Sequence, residues 1–340
     1  MSYIGTDDAQ STSPASAFPS SVADVLAKRT GGHLSPDGRG GRAHKSRESS
    51  PVGSVVSISS IMGVTSGAGG GKPRRYESDL HKVFQFYSIR VTELDNYELK
   101  LRVWLCNTII RPLVQKIDEV NAQLAEKHAS LYLKVGVSSI DQIKSMLSSR
   151  VELCNTYLPF VLPYLRIHAN QNYLVQRFRT LADNVAMEEF RWNNGSAELT
   201  HDENDGFSKS LPWSDRLPTD SELVWSAFCA YMDYHLAPCP NYASGEFFKP
   251  FSNVYFLKAD TQPTPIHTSS EAFYVRMAST NPPVFEFALN GGADVVVPNK
   301  DAGNNFWLVI ILFLAHVEKF NYSRIGHLRL SAIKLDILSD

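Results

Sequence analysis

Four cysteines in 340 residues are too few for a disulfide scaffold. None of Cys106, Cys154, Cys229 and Cys239 forms a C-x-x-C pair, and the ten histidines form no H-E-x-x-H, so tetrahedral zinc has no support. A G-x-S-x-G nucleophile elbow is missing as well. Charged residues make up only 20% of the chain and the formal net charge is −2. That balance gives no bias toward nucleic acid or an anionic membrane. The longest apolar run, Phe306 to Ala315, is ten residues, against the roughly 20 that a membrane span needs. It reads as a buried helix. Ser2 to Thr12 is polar and lacks the basic and apolar regions of a secretory leader.

Two apparent motifs fail on inspection. Gly71-Lys72 would end a phosphate-binding loop, but Ser66 stands where its first glycine belongs and Pro73 where Ser or Thr should follow. The acidic run His201 to Gly206 would be a calcium loop only with oxygen ligands at its first and twelfth positions, which are His201 and Pro212.

Aromatics are absent between Phe18 and Tyr76. Residues 1–75 hold 15 serines and 12 of the 20 glycines. Such a segment has too little apolar surface to offset chain entropy and reads as disordered. Ser13, Ser35 and Ser50 each precede a proline there and are candidate phosphorylation sites. Gly67 to Gly71 reads as a flexible hinge. The segment carries nine basic and five acidic residues, which leaves −6 on residues 76–340 and argues against direct nucleic-acid binding by that part.

Residues 76–340 contain 30 of the 32 Phe and Tyr residues and every tryptophan, enough for a large core. Their first half reads as helical. Val103, Cys106, Ile110, Leu113, Ile117, Val120 and Leu124 make a seam with steps of three and four. Pro112 inside it predicts a kink or a new helix start. Ser138 and Asp141 suggest the cap of a second helix, with Ile140, Ile143 and Met146 or Leu147 inward. A third runs from about Gln171 to Asn184 on a Tyr173, Leu174, Phe178, Leu181 stripe, with Arg177 and Arg179 outside it. The polar stretch 193–215 reads as a loop. Thr219-x-x-Glu222 is a capping box opening a further helix, which also accounts for Ser221 without catalysis.

Past Pro238 the texture changes. Val254–Leu257, Phe273–Met277, Val284–Leu289 and Asp294–Val297 are short aromatic or β-branched runs that predict antiparallel strands. Asn290-Gly291 marks a hairpin turn. Leu328 to Leu338 reads as a final strand with a bulge near Ala332 and Ile333. Helices first and a mainly antiparallel sheet later, with a buried C-terminal helix and a final strand, predict an α+β fold.

Phe190-Arg191-Trp192-Asn193 is the most unusual local string. Arg and Trp are enriched at interface hot spots, so Arg191, Trp192 and, across the polar stretch, Trp213 are candidate protein contacts. The competing reading tucks Trp192 into the core at a helix end that Gly195 closes.

Several strings occur together in order: Leu162-Pro163-Tyr164-Leu165, Asn170-Gln171-x-Tyr173-Leu174, Phe190-Arg191-Trp192-Asn193, Leu217-Pro218-Thr219-Asp220-Ser221, Phe228-Cys229-x-Tyr231-Met232-Asp233, Asn281-Pro282-Pro283, Asn304-Asn305-Phe306 and Gly326-His327-Leu328-Arg329-Leu330-Ser331. Together they resemble the soluble C-terminal region of the transmembrane protein 209 family, whose conserved region is also labelled cytochrome b561, N-terminal. The resemblance covers roughly residues 80–340. It implies a nuclear-envelope or endoplasmic-reticulum membrane protein with nucleoporins as partners, no enzymatic activity, no cofactor and no catalytic residues. Family members have two spans before a low-complexity linker. This chain shows the linker-like part without spans, so membrane anchoring does not carry over, and the chain alone is expected to be soluble, facing cytoplasm or nucleoplasm. The reading at this stage is a non-catalytic protein-interaction module. One alternative is an enzyme whose site converges only in three dimensions. Another is a peripheral membrane protein that docks the 306–317 run into lipid, which requires that run to be exposed.

Overall fold

The computed structural model describes residues 73–77, 80–201, 208–237 and 249–338, with backbone alone at 198–201 and 208–211. Ser13, Ser35, Ser50, Cys239, residues 67–71 and residues 202–207 lie outside the described residues.

The fold is α+β. The helical half contains α1 (Leu80–Phe86), α2 (Leu94–Leu105), α3 (Arg111–Lys127), α4 (Ile140–Ser149), the single turn α5 (Leu158–Val161) and α6 (Gln171–Asp183). Pro112 stands in the first turn of α3, the helix start that the sequence offered, and the chain stays helical between α2 and α3. It widens into a π-helical stretch, Cys106–Ile110, which accommodates a residue without an N–H and with a bulky ring. The predicted seam is buried from Cys106 to Leu124, with Val103 half-buried at its start. The α4 cap is Ser139, whose hydroxyl accepts from the Gln142 N–H at 3.2 Å, one residue later than predicted. Ser138 instead accepts from the Lys134 N–H at 3.1 Å within the preceding turn. Arg111 donates to the carbonyls of Ala182 (2.8 Å) and Asp183 (3.2 Å). It thus meets two orphan groups at the C-terminus of α6, where a cation is favoured.

A hairpin, β2 (Glu198–His201) with β3 (Ser208–Leu211), occupies part of the stretch read as a loop. Then comes α7 (Asp220–His235), and beyond it α8 (Ser252–Tyr255), a single turn where a strand was predicted from Val254. The cause is Asp233, whose carboxylate accepts from the N–H groups of Phe251 (2.7 Å) and Ser252 (3.0 Å) and from the Ser252 hydroxyl (2.5 Å). That is the work of a helix cap delivered from α7. Strand β4 is left with Phe256–Lys258.

The sheet has the order β1-β7-β6-β5-β4. β1 is Arg74–Tyr76, β5 Tyr274–Thr280, β6 Pro283–Leu289 and β7 Asp294–Val296. The central β5-β6-β7 pairs are antiparallel, as the turn signals imply, and Gly291 and Gly292 turn the β6–β7 hairpin with positive φ. Both edge strands are parallel to their neighbours, so the sheet is mixed. Arg74 and Arg75, assigned from sequence to the disordered segment, sit in β1. Arg75 pairs with the buried Glu286 of β6, and Arg74 lies 3.8 Å from the buried Asp294 of β7. Asp294 also accepts from Tyr76 (3.1 Å) and Asn290 (2.6 Å).

Helix α9 (Asn305–Phe320) is the centre of the molecule. Every residue from Asn305 to Ala315 is buried, and Val317 with them, as an all-round apolar helix requires. It packs on β6 and β5 on one side and on α2 on the other. Each buried Leu, Ile or Phe of the run contributes about 1.5–3 kcal/mol relative to exposure. The burial removes the peripheral-membrane reading, which needed this run exposed. Among the described residues no helix is long and apolar enough to cross a membrane. The helix start is fixed by Asn305. Its side-chain amide accepts from the Phe285 N–H (2.7 Å) and donates to the carbonyls of Phe285 (3.1 Å) and Pro298 (2.5 Å).

The predicted final strand is a correction. Only Leu328–Arg329 is extended (β9), paired with β8 (Arg324–Ile325). A 3-10 turn, Leu330–Ile333, follows. The Ile333 carbonyl accepts from the Trp104 indole at 2.8 Å, and Leu335 N–H bonds back to Leu330. These backbone groups are therefore committed away from any ladder.

Candidate functional site

The predicted contact string lies on the connection between α6 and β2, and the start of α7 holds it in place. The capping box forms as read: the Thr219 hydroxyl accepts from the Glu222 N–H (3.3 Å) and the Glu222 carboxylate from the Thr219 N–H (3.0 Å). The next two side chains then turn to the connection. Asp220 accepts from the Arg191 N–H at 2.8 Å, and its own N–H donates to the Asn194 carbonyl at 2.9 Å. Ser221 donates to the Trp192 carbonyl at 2.7 Å, which occupies the hydroxyl in a structural role.

Behind this sits an ion pair. Arg177 of α6 donates to Asp220 through Nε (2.7 Å) and Nη2 (2.5 Å), and also to the Glu189 carbonyl. Both side chains are essentially inaccessible to water. Burial pushes the Asp220 carboxyl up, while Arg177 and the Arg191 N–H pull it down. The two-pronged geometry is that of a charge-assisted pair. Arg177 was placed outside the α6 stripe from sequence. The structure puts it inside: Leu174, Arg177 and Leu181 follow steps of three and four and share one buried face.

Arg191 itself is exposed, and its guanidinium reaches the Gly195 carbonyl at 3.4 Å. Trp192 is half-buried, with its ring edge against Gly303, where an added Cβ would stand 2.8 Å from Cδ1. Trp213 is half-buried on the far side of Gly195 and donates to the Pro218 carbonyl at 3.4 Å. The three predicted residues therefore do not form one face. Arg191 and Trp192 share a cleft of about 620 Å³, and Trp213 is not part of its lining.

The opposite wall of that cleft comes from α2, which sequence reasoning did not connect to it. Glu98 and Arg102 form an i,i+4 ion pair at 2.5 Å. The Arg102 guanidinium lies over the rings of Phe190 (5.4 Å) and Trp307 (4.9 Å), a cation–π arrangement. Burial pushes the Glu98 carboxyl up against the pull of Arg102. Asn304, at the start of α9, completes the rim. The signal for this wall was the Glu98/Arg102 spacing; its pairing with residues 190–194 is a long-range contact that no local pattern encodes. The lining offers two cations, one carboxylate, amides and aromatic rings, and no histidine, cysteine or hydroxyl. It has the groups to hold a ligand and lacks a nucleophile with an adjacent base.

A sequence profile of the family described as Cytochrome B561, N terminal, matches residues 32–339. The chain belongs to that family. It is 38% identical over 192 residues to an uncharacterized protein of Caenorhabditis elegans, a match that covers 56% of this chain and 30% of the relative. The chain thus spans under a third of that relative's length. No solved structure matches the chain.

The name of the cytochrome B561 N-terminal family raises the question of haem, which is held through axial side-chain ligands. The described residues do not fit one. Neither this cleft nor a second beside Glu77 and Lys300 is lined by His, Cys or Met. The His316 ring packs against Phe273 (4.4 Å) and Phe320 (4.8 Å) and bonds Tyr87 through Nδ1 (3.0 Å). His235 packs against Tyr231 (4.4 Å). His168 accepts the Asn170 N–H at 3.0 Å. Among the described residues no group of three or more His, Cys, Asp or Glu is placed to hold a metal ion.

Proposed function

We propose that this region of the cytochrome B561 N-terminal family is a non-catalytic protein-interaction module, with Arg191 and Trp192 at its contact face. The observation that carries the reading is the placement of those two side chains in one open cleft, on a connection anchored by Asp220 and Ser221. A pinned connection presents its side chains at low entropic cost, which favours affinity. The missing nucleophile–base pair in the lining weighs against catalysis there. The −6 on residues 76–340 weighs against a nucleic-acid partner. The ordered strings resembling the transmembrane protein 209 family point to the nuclear envelope and to nucleoporins as partners.

The test is a pull-down with the full chain from nuclear-envelope extract, read by mass spectrometry, against Trp192→Ala and Arg191→Glu variants of unchanged circular dichroism. Nucleoporins retained by the wild type and lost from both variants support the reading. Retention of the same proteins by all three removes Arg191 and Trp192 from the contact. A wild type that captures nothing beyond bare resin overturns the module itself.

A further inference from the structure

We propose that residues 52–64, which precede the described part of the chain, lie against the face of the sheet turned away from α9. The pleat sorts the strands into two faces. Val275, Phe287 and Val296 are paired across the sheet on the α9 side, where the Phe287 and Phe313 rings stand 6.4 Å apart. Tyr274, Ala288 and Val295 are paired on the other side. With Leu257 and Val297 they form a second apolar cluster, separate from the main core. Each of the five is only 1–4% exposed in the whole chain. A side chain standing out from a sheet is hidden to that degree only under a further layer.

Among the described residues that layer is present at one corner. The connection from β4 to β5 sets the His267 ring 5.0 Å from Tyr274, and His267 is its one buried residue between 259 and 271. Toward the opposite edge, the main contacts of β7 are β1, β6 and the 290–292 turn, with no helix among them. Val295 and Val297 therefore owe their cover to residues outside the described set.

Three observations select residues 52–64. The chain enters the sheet at β1, the edge strand beside Val295, so whatever precedes Arg74 emerges at that corner. The ten residues from Val64 to Arg74 include Gly67, Gly69, Gly70 and Gly71. They reach up to about 33 Å, more than the roughly 19 Å across five strands. The stretch is also apolar: seven of its thirteen residues are Val, Ile or Met, and no charge occurs between Glu48 and Lys72. Val55, Ile58 and Met62 fall on steps of three and four, the spacing of one helix face. Averaged over residues 1–75, this patch is diluted by the serines and glycines around it. Finally, the family profile begins at residue 32, so the stretch belongs to the same unit as the sheet.

The experiment places a photocrosslinker in the full chain, Ile58→p-benzoylphenylalanine, and maps the products by mass spectrometry. We expect crosslinks within one chain to peptides holding Ala288 or Val295. Crosslinks confined to other surfaces overturn the proposal. So do crosslinks joining two chains, which would give the face to a second copy. Hydrogen exchange of the unmodified chain tests the same point without the bulky ketone. Amides of residues 52–64 should exchange at least about tenfold more slowly than in a free peptide of that sequence. Ile58→Asp together with Met62→Asp should abolish that protection and speed exchange in β1 and β7. Exchange at the free-peptide rate in the wild type overturns the proposal, as does protection that survives both substitutions.

Discussion

Arg177 and Asp220 meet through two hydrogen bonds of 2.7 and 2.5 Å, with neither side chain open to water. The pair joins the middle of α6 to the first turn of α7. Its spare capacity goes to the backbone of the connection between them, at Glu189 and Arg191. Removing one partner of such a pair is far costlier than replacing both. Asp220→Ala should therefore destabilise the fold by about 3–5 kcal/mol, measured by urea unfolding. The double variant Arg177→Met, Asp220→Leu should recover much of that loss while still loosening the cleft wall, seen as faster amide exchange at residues 189–194.

Asn305→Leu keeps the volume of a buried side chain but leaves the Phe285 N–H and two carbonyls unmet. Each unmet group costs about 1–3 kcal/mol. The expected loss in urea unfolding is at least about 2 kcal/mol. A smaller loss would mean that water or another donor replaces the amide.

His316 has its pKa pushed down to about 4 by burial. In the unfolded chain it titrates near its ordinary value of about 6.5. Between those values the unfolded state binds a proton that the folded state refuses, so stability is lost as pH falls from about 6.5 and the loss levels off near 4. The full effect is about 3 kcal/mol. Comparing urea midpoints of wild type and His316→Gln across that range isolates it, since other groups titrate in both. Parallel curves would show that the imidazole is not held neutral.

Two glycines near the cleft should behave differently. A Cβ on Gly195 would stand 1.8 Å from the Tyr173 hydroxyl, which donates to the Pro218 carbonyl at 3.0 Å. Gly195→Ala should cost about 1–3 kcal/mol, as overpacking does. A Cβ on Gly303 meets only the edge of the Trp192 ring at 2.8 Å. Gly303→Ala should cost less in thermal unfolding and should change tryptophan emission by displacing Trp192 toward solvent.

Local patterns in the sequence account for much of the fold. The Thr219/Glu222 box, the Cys106–Leu124 seam and the Phe306–Val317 run all appear where their spacing places them, because caps and helix faces are short-range physics. The parallel edges of the sheet were not legible: β1 and β7 pair across nearly the whole described chain, and nothing local marks that register. Arg75 read as tail because Glu286, its reason for being in the sheet, lies in a distant strand. Arg177 was misread by residue type, although its spacing put it on the buried face. At the site, Arg191 and Trp192 stood out by chemistry. Glu98, Arg102 and Asn304 did not, since only tertiary packing brings them opposite.

The position of α9 also bears on how the chain must be made. Ribosomal synthesis delivers α1 to α7 long before Asn305 emerges, yet the inner faces of β6 and α2 are completed by α9. Arg74 likewise waits for Asp294 before β1 has a neighbour. The nascent chain must leave the α2 face that α9 covers unsheltered until residues 305–320 are translated, which makes it a client for holding chaperones. Chains that stop ahead of residue 305 should be degraded rather than accumulate as a smaller domain.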